Sequence, residues 1–216
     1  VLGYLKNHLS STDFLLLTNG RAFCSREYTH LFAESRPPQL LLGIPLHGYD
    51  PASHDSITQA DGSFQQTVQG LRHLLAIHAK VEMRIVISKL NLDYISNIAA
   101  FIADELPYVQ SVKFIALEMT GNAAKNKEIV WIDYPTAFTR AKPGIDLLIH
   151  AGIDVALYNF PLCAVSRAYW NICEKSISSY KIRYAPECSA CLCQDACGGI
   201  FSGTIRLAKA DISPIR

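Results

Sequence analysis

Four of the seven cysteines lie in one segment near the end of the sequence, CSACLCQDACGG, residues 188–199. Cys188 and Cys191 form a C-x2-C pair, and Cys197 follows after five further residues. Two thiolates at this spacing can bind one metal centre, because the turn between them brings both sulfurs to the same side. Gly198 and Gly199 would let the backbone approach a bulky group closely. The segment therefore predicts a metal site with thiolate ligands.

Such a site needs a fourth ligand, and two cysteines are candidates for it. Cys193 is the nearest in sequence. Cys163 ends the stretch YNFPLC after the last strand candidate, where it would anchor the segment to the rest of the chain. We therefore predict Cys163 as the fourth ligand, with Cys193 as the alternative. Cys24 and Cys173 have no partner at a metal-binding spacing and are assigned no role.

The type of ligand does not by itself identify the metal. Zinc and an iron–sulfur cluster both accept four thiolates. A structural zinc ribbon usually has a second C-x2-C pair, which this sequence lacks, so the pattern favours a cluster. Clustered thiols in a reducing compartment more often hold metal than form disulfides.

The composition excludes several classes of protein. Half of the 216 residues are hydrophobic and 18% are charged, which is typical of a globular domain with at most a small appendage. The formal net charge is +1 and no run of basic residues occurs, so nucleic acid is not an expected partner. No apolar stretch approaches the roughly 18 residues of a membrane span. The first residues do not resemble a signal peptide, and we predict a cytoplasmic location without membrane partners.

The elements that must position these cysteines follow an α/β pattern. Short apolar runs alternate with segments of helical period, which predicts a mostly parallel sheet. Helical spacing recurs between Phe64 and Leu75 and between Leu92 and Leu106, and a third helix is predicted to end near His150. The pattern changes after residue 160, where we place a boundary. The strand candidates are residues 14–17, 40–46, 83–90, 112–117 and 154–158.

Polar residues follow every strand candidate. Because parallel α/β proteins bind ligands at the carboxyl edge of the sheet, these residues predict a ligand site there. His54, which is followed by Asp55, is predicted to be a loop histidine that stabilises a turn. The residues at the strand ends are Thr18-Asn19-Gly20, His47-Gly48-Tyr49-Asp50, Lys89 and Asn91, Glu118, and Asn159.

Several of these stretches resemble radical S-adenosylmethionine (radical SAM) enzymes. TNG at residues 18–20 is similar to the motif after their third strand. Residues 43–74 resemble the fourth strand and helix of members that carry an auxiliary-cluster extension, and C-x2-C-x5-C with Gly-Gly resembles that extension. The stretches LEMTGNAAKN, YNFPLC and CGGIFSG add to this resemblance. Taken together, the sequence resembles the radical SAM maturases of the His-Xaa-Ser peptide-modification system over about residues 13–204. Within 43–74 the matching residues are His54, Asp55, Gly62, Ser63, Phe64, Thr67 and Gly70, whereas Pro45 and His47 replace a serine and an aspartate.

This resemblance implies a fold and a function. The fold would be a partial (β/α) barrel of the radical SAM type over residues 1–160, with a small cysteine-rich C-terminal extension over 161–216. The cofactors would be S-adenosylmethionine and a [4Fe-4S] cluster, and the substrate a ribosomally synthesised precursor peptide (RiPP maturation), with a second radical SAM maturase as a further partner. The cluster ligands would be Cys163, Cys188, Cys191 and Cys197; the cofactor-binding residues Thr18, Asn19, Gly20, Arg84 and Asn91; and the substrate-side residues Glu118 and Asn159.

Two alternatives apply to single residues. Arg84 could instead be a structural residue paired with a neighbouring carboxylate. Glu118 and Asn159 could instead hold the loops.

The sequence also departs from the family. It contains no C-x3-C-x2-C motif, which in the family holds the cluster that cleaves the cofactor, and no GGEP turn. Because the sequence opens at Val1, we expect an N-terminal part of the barrel to be missing and the chain to be inactive alone. The alternative function is a zinc-stabilised peptide-binding module without catalysis.

Overall fold

Six parallel strands form the central sheet of the computed structural model, which describes residues 1–208 and 210–216. The strands lie in the sheet in the order of the chain, and each pairs in parallel with the next. All their carboxyl ends therefore lie at one edge. The strands are β1 Phe14–Leu17, β2 Leu40–Pro45, β3 Lys80–Ile87, β4 Ser111–Ala116, β5 Asp154–Tyr158 and β6 Cys173–Glu174.

Helices connect the successive strands. Parallel crossovers are right-handed, and the strand order never reverses, so the connecting helices lie on one face of the sheet. In agreement, α4 contacts β3, α8 contacts β4 and β5, and α5 packs along α8. The helices are α1 Leu2–His8, α2 Arg26–Ser35, α3 Pro51–Thr58, α4 Ser63–Ala76, α5 Ile95–Glu105, α6 Gly121–Lys125, α7 Lys127–Val130, α8 Tyr134–His150 and α9 Ser202–Leu207.

The two faces of the sheet differ in chemistry. On β3, Val81, Met83 and Ile85 are fully buried in the apolar core. Glu82 and Arg84 alternate with them and point to the opposite face, because successive side chains of a strand project to opposite sides. The helix-covered face is thus the core, and the other face carries charged groups.

The five predicted strands are observed. The predictions at 14–17 and 154–158 match β1 and β5 to the residue. Strand β3 begins at Lys80 rather than at residue 83, because its first polar residues lie on the charged face and do not interrupt the core. It ends at Ile87, where the side chain of Asn91 accepts a hydrogen bond from the Ser88 N–H at 2.9 Å and starts a turn.

The predicted helices are also observed, with two corrections of detail. Helix α8 continues through Pro143, where Gly144 allows close packing against α5: a Cβ there would lie 3.2 Å from the Ile95 carbonyl oxygen. The loop predicted around His54 is wrong, because His54 lies in α3. That helix begins with a capping box in which Asp50 and Ser53 satisfy each other's backbone N–H groups.

The cysteine-bearing segment after residue 160 contributes to the sheet. Its first strand, β6, pairs with β5 through Cys173 and Glu174. Farther along, β7 (Ile182–Arg183) and β8 (Ile200–Phe201) form an antiparallel pair. In the part of the chain that the structure describes, no helix has the length and apolarity to span a membrane.

The TNG loop at residues 18–20 is fixed by its contact with α4. Thr67 donates a hydrogen bond from its hydroxyl to the Asn19 carbonyl at 3.3 Å. Gly70 lies so close to the loop that a Cβ there would approach the Gly20 carbonyl oxygen to 2.4 Å. Gly20 itself has a φ of +76°, which glycine adopts without strain. Thr67 and Gly70 of the sequence motif therefore position this loop.

Gly70→Ala is expected to destabilise the chain by about 1–3 kcal/mol, since overpacking a close contact forces backbone to move. Gly3→Ala is the matched control, because nothing lies within 4 Å of a Cβ at that helical position. Urea unfolding of both variants measures the difference. Equal stability of the two variants would show that α4 can shift away from the loop at no cost.

Candidate functional site

A cavity of about 610 Å³ lies at the carboxyl edge of β2, β3 and β4. His47 follows β2, Ser88 follows β3 and Leu117 follows β4, so the cavity stands where the sequence predicted a ligand site. Every lining side chain is apolar or carries a hydroxyl, amide or imidazole group. The remaining lining residues are Ser56, Ile57, Gln59, Val86, Leu90, Asn122, Ala123, Asn126, Ile129 and Val130.

The imidazole of His47 lines this cavity, and the side chain of His54 holds the His47 backbone in place. The His47 backbone N–H donates to Nδ1 of His54 at 3.2 Å, and the two rings lie 5.5 Å apart. Burial lowers the pKa of His47. Burial, followed by the neighbouring His47, lowers the pKa of His54 to about 4. The imidazole of His54 is therefore neutral at neutral pH and accepts the hydrogen bond.

Asp55, the partner of His54 in the sequence motif, ties α3 to α4. Its carboxylate accepts hydrogen bonds from the N–H groups of Gly62 and Phe64 and from the Ser63 hydroxyl, each at 2.7 Å. The hydrogen bond from Ser63 is the main cause that lowers the pKa of Asp55. A carboxylate at a helix N-terminus also satisfies backbone donors that the helix leaves free. The motif residues Asp55 and Gly62–Phe64 thus shape the cavity wall through α3.

The three TNG residues lie at the end of β1, beside α4 and outside the lining of this cavity. The Thr18 hydroxyl accepts the Gly20 N–H at 3.3 Å, and the Asn19 side chain accepts the Arg21 N–H at 3.1 Å. The Asn19 side chain is exposed, whereas Gly20 is buried against Ile44. The loop presents its polar groups at the same carboxyl edge.

Arg84 lies on the charged face of the sheet. Its Nε donates to Oε1 of Glu82 at 2.8 Å, and its guanidinium lies 5.9 Å from the centre of the Tyr158 ring. Gly43 makes room for it, since a Cβ there would meet Arg84 Nε at 2.9 Å. Pairing with a neighbouring carboxylate, the structural alternative for Arg84, is therefore observed.

Asn91 is almost fully buried, with 1% of its surface exposed. Its side chain accepts the Ser88 N–H at 2.9 Å and donates to the Val86 carbonyl at 2.8 Å. Both polar ends of the amide are thus bonded to backbone, and Asn91 holds the turn that carries Ser88 to the cavity.

Glu118 and Asn159 join the barrel to the cysteine-bearing segment. Glu118 forms an ion pair with Lys181 at 3.7 Å. Asn159 has a φ of +66°; its amide donates to the Ala116 carbonyl at 3.3 Å and its oxygen accepts the Ser176 hydroxyl at 2.8 Å. Both residues hold loops in place, which is the alternative role that the sequence left open.

Five cysteines line a second, narrow pocket of about 20 Å³ beside the barrel. They are the four predicted ligands Cys163, Cys188, Cys191 and Cys197, together with Cys193. Cys197 Sγ accepts the backbone N–H groups of Leu162 and Gly199, each at 3.4 Å. Gly199 has a φ of +69°, which explains the second glycine of the Gly-Gly pair.

The thiols of this pocket are partly desolvated. Burial raises the pKa of Cys163 and of Cys188, so metal binding there would release protons. In residues 1–208 and 210–216, no three His, Cys, Asp or Glu side chains form a group that could hold one metal ion. The donor atoms suit a thiolate-bound centre, whereas a pocket of 20 Å³ has room for about one water. The fourth ligand stays a choice between Cys163 and Cys193.

Comparison with known proteins identifies the fold. No protein-family profile and no curated protein matches the chain. A domain of pyruvate-formate lyase-activating enzyme from Bacteroides vulgatus shares the fold with a TM-score of 0.54 at 14% identity, covering 72% of this chain and 88% of that one. The chain therefore shares the fold of that domain, and the predicted partial barrel of parallel strands is observed.

Two further structures align less well. The anSMEcpe protein, solved with AdoMet and a Kp18Cys peptide, has a TM-score of 0.48 at 13% identity, with 66% of this chain and 39% of that chain covered. A radical SAM methyltransferase from Sphaerobacter thermophilus gives 0.46 at 16% identity with the same coverage. The chain thus spans about two fifths of these two longer proteins.

Most residues that line the carboxyl-edge cavity were not singled out from the sequence. His47 was, as a strand-end residue, and Asn122 and Asn126 lie within the motif LEMTGNAAKN. Ser56 and Gln59 were missed, although Gln59 with a φ of +53° ends α3 in the left-handed conformation. The capping box at Asp50 and Ser53 is the sequence signal that would have placed them on a helix beside the cavity.

His54 makes the stability of the chain depend on pH. Its pKa when folded, about 4, is below the ordinary value of 6.5, so the unfolded chain binds the extra proton at intermediate pH. The contribution of His54 to the free energy of unfolding is therefore fully present above about pH 6.5. It decreases as pH falls toward 4, by about 2 kcal/mol between pH 7 and pH 5. Urea unfolding at the two pH values measures it.

His54→Asn retains an acceptor near the Nδ1 position and should show a smaller decrease with pH. His30→Asn is the control, since the His30 side chain is 75% exposed. A decrease that is as large in His54→Asn as in the parent would assign the pH dependence to another group.

Proposed function

We propose that this chain is part of a radical SAM peptide maturase, which modifies a ribosomally synthesised peptide at the carboxyl edge of the barrel. The observation that carries the proposal is the sequential parallel sheet with a cavity at its carboxyl edge, joined through β6 to a pocket of five cysteines. Parallel α/β folds place ligands at this edge. The barrel would hold cofactor and substrate, and the cysteines would hold a metal centre.

Cys163, Cys188, Cys191 and Cys197 are the proposed ligands of an auxiliary [4Fe-4S] cluster. When bound, such a cluster supplies electron transfer or structural stability, because four thiolates leave none of its irons open. The backbone donors to Cys197 support this ligand set, since N–H groups directed at a sulfur stabilise its thiolate. The chain itself holds the site against the barrel through β6 and Asn159.

The S-adenosylmethionine site is proposed to include Thr18, Asn19, Gly20 and Arg84. The exposed amide of Asn19 offers hydrogen bonds at the carboxyl edge, and the guanidinium of Arg84, oriented by Glu82, suits a carboxylate. Asn91 belongs to this proposal only as a residue that holds the turn at Ser88. Glu118 and Asn159 would act on the substrate side by fixing the loops between barrel and cysteine pocket.

The neutral lining of the cavity supports a peptide as substrate. Amides, hydroxyls and an uncharged imidazole can bond to the donors and acceptors of a peptide backbone, and the apolar residues can contact its side chains. A second maturase would supply any step that this chain lacks. The runner-up function is a zinc-stabilised peptide-binding module, which the same cysteines and the same cavity would serve.

Metal analysis separates the two functions. Anaerobically reconstituted chain is expected to hold about four iron and four sulfide. Serine at Cys163, Cys188, Cys191 or Cys197 should lower the iron content to about half or less, because a cluster with an incomplete ligand set is labile. Cys193→Ser is the matched control and should retain iron. Loss of iron in Cys193→Ser with retention in Cys163→Ser would reverse the assignment of the fourth ligand, and zinc without iron in the parent would favour the binding module.

Cofactor cleavage is expected to need a motif that this sequence does not contain. A C-x3-C-x2-C motif leaves one iron of its cluster open for the cofactor, whereas the four-thiolate site proposed here does not. The 216 residues should therefore yield no 5′-deoxyadenosine from S-adenosylmethionine under strong reductant, measured by liquid chromatography. An extended version that includes the motif is the positive arm. Catalytic formation of 5′-deoxyadenosine by this chain would place the initiating site among its own cysteines.

A further inference from the structure

Most polar side chains that line the carboxyl-edge cavity are already bonded to the backbone of the chain. The hydroxyls of Ser56 and Ser88 and the amide nitrogens of Gln59 and Asn126 each bond to a nearby backbone group. These four side chains therefore stabilise the walls of the cavity. The two other polar residues of the lining are His47 and Asn122.

The ring of His47 has no hydrogen-bond partner among residues 1–208 and 210–216. The ring of His54 lies 5.5 Å away, and the bond from the His47 backbone N–H to His54 fixes the backbone that carries the ring. Burial lowers the pKa of His47, which favours the uncharged ring with one donor and one acceptor nitrogen. His47 therefore offers one N–H donor and one nitrogen acceptor to the cavity.

Asn122 offers a second donor and acceptor from the loop that follows β4. Its backbone carbonyl accepts the amide of Asn126 at 2.9 Å, whereas its own side-chain amide bonds to no group in the part of the chain that the structure describes. His47 follows β2, so the two residues lie on either side of β3. Adjacent strands are about 4.8 Å apart, so β2 and β4 are separated by about 10 Å, a gap that one planar group with bonds on both sides can span.

The rest of the lining restricts the chemistry of such a group. Among the described residues, none that lines this cavity is an Asp, Glu, Lys or Arg, so a carboxylate or an ammonium would lose its water without gaining an opposite charge. Ile57, Leu117 and Ile129 add apolar surface. At about 610 Å³ the cavity falls within the roughly 300–1,000 Å³ of small-ligand sites. An uncharged group with one donor and one acceptor, next to an apolar side chain, is the peptide group of an apolar residue.

We propose that His47 and Asn122 determine the specificity of the cavity by binding the main-chain peptide group of an apolar, uncharged stretch of the substrate. This inference rests on the proposed function, because it takes a peptide as the ligand. The ring N–H of His47 donates to the peptide carbonyl, and the amide oxygen of Asn122 accepts the peptide N–H. The side chain of the bound residue packs against Ile57, Leu117 and Ile129. A free carboxylate in place of the peptide group is excluded by the cost of its desolvation.

Titration with a blocked amino acid tests this pair of residues. N-acetyl-leucine N-methylamide is added to the 216-residue chain at neutral pH, and binding is followed by the backbone amide signals in nuclear magnetic resonance spectra. In the parent, the ring signals of His47 should shift on binding. His47→Phe, which keeps a ring and removes both nitrogens, and Asn122→Leu should each raise the dissociation constant about fivefold, the factor of one neutral hydrogen bond. His47→Gln restores a donor and an acceptor and should bind within about twofold of the parent.

His30→Phe and Asn97→Leu are the matched controls. The His30 side chain is 75% exposed, and Asn97 is exposed on α5 outside the cavity lining, so both variants should bind as the parent does. Circular dichroism checks that each variant is folded. Because Asn122 is exposed, Asn122→Leu decides the matter if His47→Phe is unfolded. Unchanged dissociation constants in the folded His47 and Asn122 variants would overturn the inference.

Two further ligands separate this inference from its alternatives. N-acetyl-leucine, which has a carboxylate in place of the second peptide group, should bind at least about tenfold more weakly than the blocked leucine. Equal or tighter binding of this acid, or binding of adenosine without binding of the blocked leucine, contradicts a peptide-specific cavity. The titration needs no metal, so its result is independent of the iron content. Binding that depends on His47 in a chain that holds zinc and no iron would contradict the maturase and support the peptide site.

Discussion

Parallel pairing in chain order is the constraint on which the rest of this structure depends. Because each strand pairs with the next one along the chain, every crossover places its helices on the same face, and every strand ends at the same edge. The apolar residues of β2 to β5 are buried against those helices. The opposite face carries the charged residues Glu82, Arg84 and Lys113 beside apolar residues such as Leu15 and Leu17. The loops that carry His47, Ser88 and Leu117 lie around one cavity at the carboxyl edge.

The charged residues on the face of the sheet opposite the helices are paired with residues of opposite charge. Glu82 is 3% exposed and is paired with Arg84, while Lys113 on β4 lies 3.4 Å from Glu174 on β6. Tyr158 lies between the two cations, 5.9 Å from Arg84 and 5.6 Å from Lys113, and burial raises its pKa to about 12. Each buried charge thus has an opposite partner, which a desolvated ion requires. The pair of Lys113 and Glu174 also connects β4 to β6.

The cysteine pocket is attached directly to the central sheet. Strand β6 extends the sheet by two residues, and Asn159 bonds to Ala116 at the end of β4 and to Ser176 after β6. A metal centre in the pocket would therefore be held at a fixed position relative to the carboxyl-edge cavity. This rigid connection suits either electron transfer or structural support, and it gives Asn159 and Glu118 a physical role in the joint.

Local sequence determined the elements whose signals are local. Apolar runs predicted the buried strands, and helical spacing predicted α4, α5 and the end of α8. The metal site predicted from the spacing of Cys188, Cys191 and Cys197 stays a prediction, although all three line one pocket. Tertiary structure decided the rest. The contact of Arg84 with the Tyr158 ring, the hydrogen bond of Asn159 to Ala116 and the presence of Cys163 in the pocket of the later cysteines depend on contacts between distant segments, which no spacing records. The position of Ile212, Pro214 and Ile215 in the lining of the cysteine pocket is of the same kind, because no periodic relation in the sequence links them to the cysteines.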